Sequence, residues 1–300
     1  MATDNAFDLT RAAAPPHARA RRTRDTTGTG ALLFVLPALV LMAAVFLVPV
    51  VYVLGLSIYR DGHFTLEAFA HLISNGLFVQ VLGTTLTIAV SATLVSLVLA
   101  YPVAMHLARQ SPRRRAVYTS LVLLPFWTSI LVKSYAFTVI LGRAGLINSA
   151  LHWMFGNGPQ LELIFNRTGV MIGMSNYLVP FLVFPILSNL LAQDRNLVQA
   201  AEAMGAGAFR TWWKITLPLS LPAVAAGALL SLVISFGFFV TPALLGGPKD
   251  MMLANLVDLF THEALDWNTA AAIAVLILLI SAALVAILSR VPGATGRLGK

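Results

Sequence analysis

The chain of 300 residues is 58% hydrophobic and 11% charged, with a mean hydropathy of +0.82 and a formal net charge of +8. Soluble globular domains carry about 25% charged residues, so this chain cannot cover itself with polar surface and water is not its main solvent. It contains no cysteine, which excludes disulfides, thiolate metal sites, cysteine nucleophiles and thiol redox chemistry.

Residues 1–30 are polar, Arg-rich and contain Ala14-Pro15-Pro16, and read as a disordered basic tail. The apolar run that follows, Ala31 to Leu56, is too long for a signal-peptide core and precedes no small-residue cleavage site, so it reads as an uncleaved first span. A helix needs roughly 20 apolar residues to cross a bilayer. Five further stretches meet that need: Val81–Ala100, Val117–Leu141, Gly169–Leu191, Pro222–Leu245 and Ala270–Leu288. In lipid every backbone polar group must be satisfied within the segment, which makes each of these a helix. The fold class expected is therefore an all-α, polytopic membrane protein. Pro37, Pro49, Pro125, Pro180, Pro185 and Pro242 fall inside these runs; membrane bundles tolerate such prolines and kink at them.

Six spans put both termini on one side, and the basic residues say which. Arg11, Arg19, Arg21, Arg22, Arg24, Arg109, Arg113, Arg114, Arg115, Arg195, Arg210, Lys214, Arg290, Arg297 and Lys300 lie on one set of loops. Only Arg60, Arg143, Arg167 and Lys249 lie on the other. The positive-inside rule makes the first set cytoplasmic. Residues 290–300 then form a second cytoplasmic tail.

Several chemistries lack their residues. The nearest match to a phosphate-binding loop, "GATGRLGK" at Gly293–Lys300, fails on spacing and has no following Ser or Thr. None of the acidic residues lies within a span, whereas ion-coupled carriers commonly place a carboxylate there. The histidines form no pair at helical metal-binding spacing, and no serine sits in a glycine-framed nucleophile context. No nucleotide, metal or other cofactor, and no nucleic acid, is expected on this chain. A secondary carrier or channel is the alternative class, followed by a membrane enzyme.

The loop between the fourth and fifth spans, residues 193–221, stands out. In "LVQAAEAMGAGAFRTWWKITLPLSLP", Leu197, Ala200, Ala201 and Met204 recur at helical spacing. Gly205 and Gly207 break that pattern, and Phe209, Trp212, Trp213 and Thr216 make a second stripe with Arg210 and Lys214 turned away. This predicts a short helix, a glycine turn and a second short helix leading into the fifth span. Two readings stand: an amphipathic loop lying in the headgroup layer, which suits its tryptophans, or a docking element.

The spacing of Gln199-Ala200-Ala201, three residues, Gly205, nine residues, then Ile215-x-Leu217-Pro218 resembles the motif E-A-A-x3-G-x9-I-x-L-P of the membrane subunits of binding-protein-dependent ABC importers. In that family the segment carries a coupling helix that docks on the ATP-hydrolysing subunit. Gln199 departs from the family's Glu and puts any salt bridge at that position in doubt. "LPFWTSILVKSYAF" (Leu124–Phe137), "LGRAGLIN", "FGFFVTPALLGGPKDMMLANLV" (Phe236–Val257) and "LDWNTAAAIAVLILL" resemble the spermidine/putrescine-type permease branch, which usually has Arg in place of Lys133. The similarity covers about residues 31–290. It implies a six-helix permease domain over 31–289 of the type I, MetI-like fold, with coupling loop 193–221. It further implies a bacterial inner-membrane subunit forming half of a pathway for a polyamine-type or related charged or polar solute. Expected partners are a second permease subunit, as a heterodimer, ABC ATPase subunits carrying ATP and Mg, and a periplasmic or extracellular solute-binding protein.

Lys133 is the only full charge inside an expected span. It reads as a residue that snorkels from near the outer end, as a path-facing charge or as an inter-subunit bond; it would repel a polycation and so is not an obvious direct ligand for one. Phe126, Trp127, Tyr135, Asn176, Tyr177, Phe236, Phe238 and Phe239 are candidates to line the translocation path, since aromatic faces hold aliphatic and cationic solutes; ordinary packing is the alternative for each. Ser231, Ser235 and Thr241 are expected to bond back to their helix or across an interface.

The charge asymmetry generates a labelling test. Single cysteines replacing Ser111, Gly158 and Gly207 are expected to differ in intact cells: only position 158 reacts with an impermeant thiol reagent. Labelling at 111 or 207 contradicts the orientation.

Overall fold

The computed structural model describes residues 27–60, 62–74, 76–156 and 160–289. The chain divides into two units, residues 1–50 and 51–300. The described part of the first belongs to α1 (Thr27–Ile58), which contains Pro37 and Pro49. Its side chains from Val35 to Pro49 are exposed and almost all apolar, as suits a helix whose solvent is lipid. The helix starts at Thr27 rather than at residue 31; of the tails expected over 1–30 and 290–300, residues 1–26 and 290–300 lie outside the described residues.

In the second unit β1 (Tyr59–Arg60) and β2 (His63–Phe64) form a small antiparallel hairpin. Two helices follow, α2 (Glu67–Ser74) and the long α3 (Gly76–Arg109). The third expected span, 117–141, is not one helix. It is built of α4 (Pro112–Leu123), a 3-10 turn (Leu124–Trp127) and α5 (Ile130–Leu141). Pro125 occupies the first turn of the 3-10 segment and Thr128 is extended at φ −85°, ψ 142°, so the helical ladder ends there and restarts. The third stretch long and apolar enough to cross a membrane accordingly runs later, over Ile130–Phe155, including α6 (Leu146–Phe155).

The remaining helices are α7 (Arg167–Ala192), α8 (Arg195–Ala203), α9 (Ala208–Thr211), α10 (Leu217–Phe236), α11 (Val240–Leu245), α12 (Leu253–Asp258) and α13 (Trp267–Ser289). A π-helical turn, Trp212–Thr216, joins α9 to α10, so that Ala208–Phe236 is one continuous helix of 29 residues. The fifth span thus begins well before the expected Pro222, and it breaks at Gly237–Phe239 instead of running on to residue 245.

Burial is concentrated on α3 and α7, which carry small residues where they meet. Ala89, Ala92, Ala100 and Ala104 of α3 are fully buried, and Ser175 Oγ donates to Ala92 O across the pair at 3.4 Å. Close backbone approach, rather than a hydrophobic drive, is what brings helices together in lipid. On α7 a Cβ at Gly173 would stand 2.7 Å from both Leu245 Cδ1 and Thr241 Cγ2 of α11. At one end of α7, Asn166 caps the helix by accepting from Gly169 N at 3.0 Å, Asn166 N donates to Leu245 O, and Arg167 pairs with the buried Asp250 at 3.3 Å. At the other end of α3, Arg115 of α4 donates to Leu107 O and Gln110 O, covering terminal carbonyls.

Asp266 caps α13. Burial pushes its carboxyl up, but the Thr269 hydroxyl and amide, the Arg60 guanidinium and the Asn268 amide outweigh that and hold it below the usual carboxylate range. A depressed folded value contributes stability above the unfolded value and loses it as pH falls through the folded one.

Two stability tests follow from these contacts. Gly173→Ala is expected to lower the thermal midpoint of the purified protein, at a cost of about 1–3 kcal/mol for overpacking, because Thr241 is tied to Ser134 and Leu245 is fully buried. Gly83→Ala, with open space around the new methyl, is expected to leave the midpoint unchanged or raise it; equal losses at the two sites contradict the packing. Asp266→Asn is expected to lower the midpoint at pH 7, with the deficit shrinking as pH falls below 3.8.

Candidate functional site

The segment between α7 and α10 is shaped by two caps. Asp194 opens α8 by accepting from Asn196 N at 2.9 Å. Gly205 closes it at φ +80°, with Gly205 N bonded to Glu202 O at 2.9 Å and Ala206 N to Ala201 O at 3.0 Å. These paired bonds satisfy the last carbonyls of α8 around a left-handed residue, a conformation that glycine adopts without strain. A Cβ at Gly205 would meet nothing within 4 Å. The turn therefore presents bare backbone outward, with Met204 beside it 82% exposed.

The expected apolar stripes are only partly buried. Of the first, Ala201 is buried, whereas Leu197, Ala200 and Met204 are exposed, as is Gln199. The second stripe splits. Trp212 and Thr216 are partly buried, while Phe209 and Trp213 stay exposed and stack on one another with centroids 6.4 Å apart. The reason is the π-helical turn at Trp212–Thr216, whose wider winding takes residues out of the register of an α-helix. Ile215 and Leu217 are partly buried, and Pro218 lies in the first turn of α10, where its missing N–H costs least.

Contacts of Gln193 and Tyr101 hold this segment in place. Gln193 Nε2 donates to Thr216 O at 3.4 Å, so the two ends of the segment are joined. Tyr101 of α3 is buried, its hydroxyl shares a hydrogen bond with Ser220 Oγ at 2.9 Å, and its ring meets Trp212 edge-on at 6.1 Å. Behind α8 lies a cavity of ≈ 290 Å3 lined by Arg109, Gln193, Asp194, Gln199, Glu202 and Trp212.

A second constellation lies where α10 gives way to α11 and where the third span breaks. Tyr177 of α7 contacts Phe126, Phe181 and Phe238 with ring centroids 6.0, 5.5 and 5.2 Å away, and Phe126 meets Phe181 edge-on at 5.5 Å. Lys133, in the first turn of α5, reaches back so that Nζ donates to Pro125 O at 2.7 Å and sits 5.1 Å from the centre of the Tyr177 ring. Pro125 O is available because the helix ends beside it; Thr128 Oγ1 also donates to it at 2.8 Å. Lys133 is thus partnered inside the chain, not reaching to an interface.

Of the path candidates, the structure brings together Phe126, Lys133, Tyr177 and Phe238. Asn176 is exposed on the neighbouring position of α7. Trp127, Tyr135 and Phe239 are exposed but make no ring contact with the cluster among the described residues. Phe236 is a correction: it is 1% exposed, packed in a core with Leu72, Phe78 and Leu253, and offers no surface to a solute. Phe181 was not singled out from sequence, although its i, i+4 spacing from Tyr177 puts both on one face of α7. Ser235 bonds back to Ser231 O and Thr241 bonds across to Ser134. Among the described residues no group of three or more His, Asp or Glu is placed to hold a metal.

Residues 96–291 match the family described as "Binding-protein-dependent transport system inner membrane component". Over 209 residues the chain is 34% identical to the spermidine/putrescine transport system permease protein PotB of Salmonella typhimurium, covering 70% of this chain and 72% of that protein. It is 33% identical to PotB of Escherichia coli over 209 residues, 70% and 76% of the two chains. Identity to the molybdenum transport system permease protein ModB of Haemophilus influenzae is 36% over 161 residues, 54% and 69% of the two chains. In fold, the chain matches a subunit of a bacterial alginate ABC transporter, crystallised with alginate pentasaccharide-bound periplasmic protein. The TM-score is 0.75 at 18% identity, over 92% of this chain and 99% of that one. With six helices among the described residues long and apolar enough to cross a membrane and a family match over most of its length, the chain belongs to the inner membrane components of binding-protein-dependent transport systems.

Proposed function

We propose that this permease forms half of the translocation pathway of an ATP-driven importer for a small charged or polar solute of the polyamine type. A solute-binding protein delivers the solute, a second, non-identical permease subunit completes the path, and separate ATPase subunits bind ATP and Mg. Both termini and the 193–221 loop are cytoplasmic; this chain hydrolyses nothing and binds no cofactor. The observation that carries the reading is the segment around Gly205: a structured turn with bare backbone at its tip and apolar Leu197, Met204, Phe209 and Trp213 left exposed around it. Exposed apolar surface of that kind beside charged residues suits a protein partner. Similarity to permeases named for spermidine and putrescine supports the solute class.

The geometry supplies a mechanism. The helix Ala208–Phe236 is about 43 Å long at 1.5 Å per residue. Its first turns belong to the docking segment, and its far end stops one residue short of the Gly237–Phe239 break, where Phe238 packs on Tyr177. Closure of the ATPase dimer would shift the docking segment, and the continuous helix would carry that shift to the aromatic cluster. Alternation between inward- and outward-open states then follows from rocking of one helix group against another.

Gly205→Val forces a β-branched residue into the left-handed region, at a cost of about 1–2 kcal/mol, and fills the bare tip. Expected are normal membrane insertion, weakened co-purification of the ATPase and lost uptake of labelled spermidine or putrescine. A variant that inserts, retains its ATPase and transports at the wild-type rate contradicts the docking role. Tyr101→Phe removes one buried hydrogen bond, about 1 kcal/mol. It is expected to leave the complex assembled and hydrolysing ATP while solute moved per ATP falls; an unchanged ratio shows that the joint to α3 carries no force.

A further inference from the structure

Lys133 is the fourth residue of the apolar stretch Ile130–Phe155, where a charge costs less than the about 2.5–3.5 kcal/mol of a span centre but still needs partners. A snorkelling lysine recovers this by reaching the headgroups. Lys133 instead turns its ammonium onto a carbonyl and an aromatic face: Pro125 O at 2.7 Å and the Tyr177 ring at 5.1 Å. These are the two partners an alkylammonium ion needs in a place poor in water, an acceptor freed from the helix ladder and a π face. Alongside lies an apolar cavity of ≈ 230 Å3, walled by Leu123, Phe126, Pro180, Phe181 and Phe184. Phe126 and Phe181 belong to both the cavity and the ring cluster. An ammonium at Tyr177 would therefore have room beside it for a short methylene chain.

The face is also one a solute reaches. Asn176, next to Tyr177, is exposed in the middle of α7 and makes no hydrogen bond among the described residues. An amide facing hydrocarbon without a partner is costly, so this side of α7 looks onto the path or the partner permease rather than onto lipid. Phe126 is 42% exposed.

We infer that Pro125 O and the Tyr177 ring form an alkylammonium subsite of the translocation path, occupied in this structure by the chain's own Lys133, which acts as a tethered competitor for the ammonium group of the cargo. This rests on the importer reading above and deepens it. The competitor has a physical purpose. A group on a short flexible tether competes at an effective concentration on the order of millimolar, so a free ammonium binds weakly and leaves readily. Conduction requires that weakness: a site on a path must admit its solute without trapping it. Cargo ammonium and Lys133 exchange at the same two partners, with the four-carbon stem letting Lys133 swing aside. No bond is made or broken.

The test measures binding of n-butylammonium, with n-butyrate as the control of opposite charge. It uses the complete complex, this permease with its partner permease and ATPases, in lipid nanodiscs. Lys133→Met removes the competitor and leaves the partners; it is expected to bind n-butylammonium about tenfold more tightly than wild type. The gain is expected to disappear in Lys133→Met combined with Tyr177→Leu and to persist with Tyr177→Phe, which keeps the ring face. Absence of any gain overturns the inference, as does a gain that survives Tyr177→Leu. Binding of n-butyrate by wild type that is lost in Lys133→Met would make this an anion site and overturn it equally. If Lys133→Met does not assemble, Lys133→Gln takes its place; failure of both assigns Lys133 to holding the helix break and ends the proposal. The importer reading is judged separately, by whether solute-binding protein stimulates ATP hydrolysis of the wild-type complex, and it can stand when the subsite falls.

Discussion

The close seating of α7 against α3 and α10 is the constraint on which the rest of the structure depends. Fully buried alanines on α3 and Gly227 on α10 let the backbones approach; a Cβ at Gly227 would already stand 3.1 Å from Pro185 Cγ. In lipid there is no hydrophobic gain from bringing one apolar helix to another, so this approach and the hydrogen bonds it permits supply the cohesion. Both functional regions hang from it. Tyr101 on α3 and Gln193 after the end of α7 hold the proposed docking segment, and Tyr177 on α7 anchors the ring cluster.

The two regions sit at opposite ends of one continuous helix, Ala208–Phe236. Its π-helical turn is the structural cost of joining them. The turn places Trp212 against Tyr101 while leaving Phe209 and Trp213 outward, so one short stretch of helix packs on the bundle and still presents an apolar outer face. Trp212 Nε1 and Ser231 Oγ are buried without hydrogen-bond partners among the described residues. Both belong to this helix, and such groups are where a second conformation loses least by rearranging.

How much of this is readable from sequence divides along physical lines. The six spans follow from composition, because length and absence of charge are all that crossing demands. The glycine turn in the docking segment follows from the change of pattern at Gly205, and its φ of +80° bears that out. Which face of a span is buried does not follow. The spans are apolar all round, so periodicity carries no signal, and Phe236 is as apolar as Phe239 although one is core and the other exposed. Pro125 reads from sequence as a tolerated kink, so the break of the third span at Leu124–Trp127 is not legible there. Lys133 was visible as an anomaly; its partners were not, because Tyr177 lies on another helix and Pro125 O is freed only by the break.

With a single helix joining the proposed docking segment to the ring cluster, the two are expected to move as one. The direct measurement is a pair of spin-label distances in the assembled complex, with and without bound nucleotide, using exposed positions in this cysteine-free chain. One pair lies within the helix, at Arg210 and Leu230; the other links it to α3, at Arg210 and Val98. The account predicts that the Arg210–Leu230 distance stays constant while the Arg210–Val98 distance shifts on nucleotide binding. A change within the helix, with its far end still relative to α3, would show that the π-helical turn yields, and that motion at the docking segment never reaches the ring cluster.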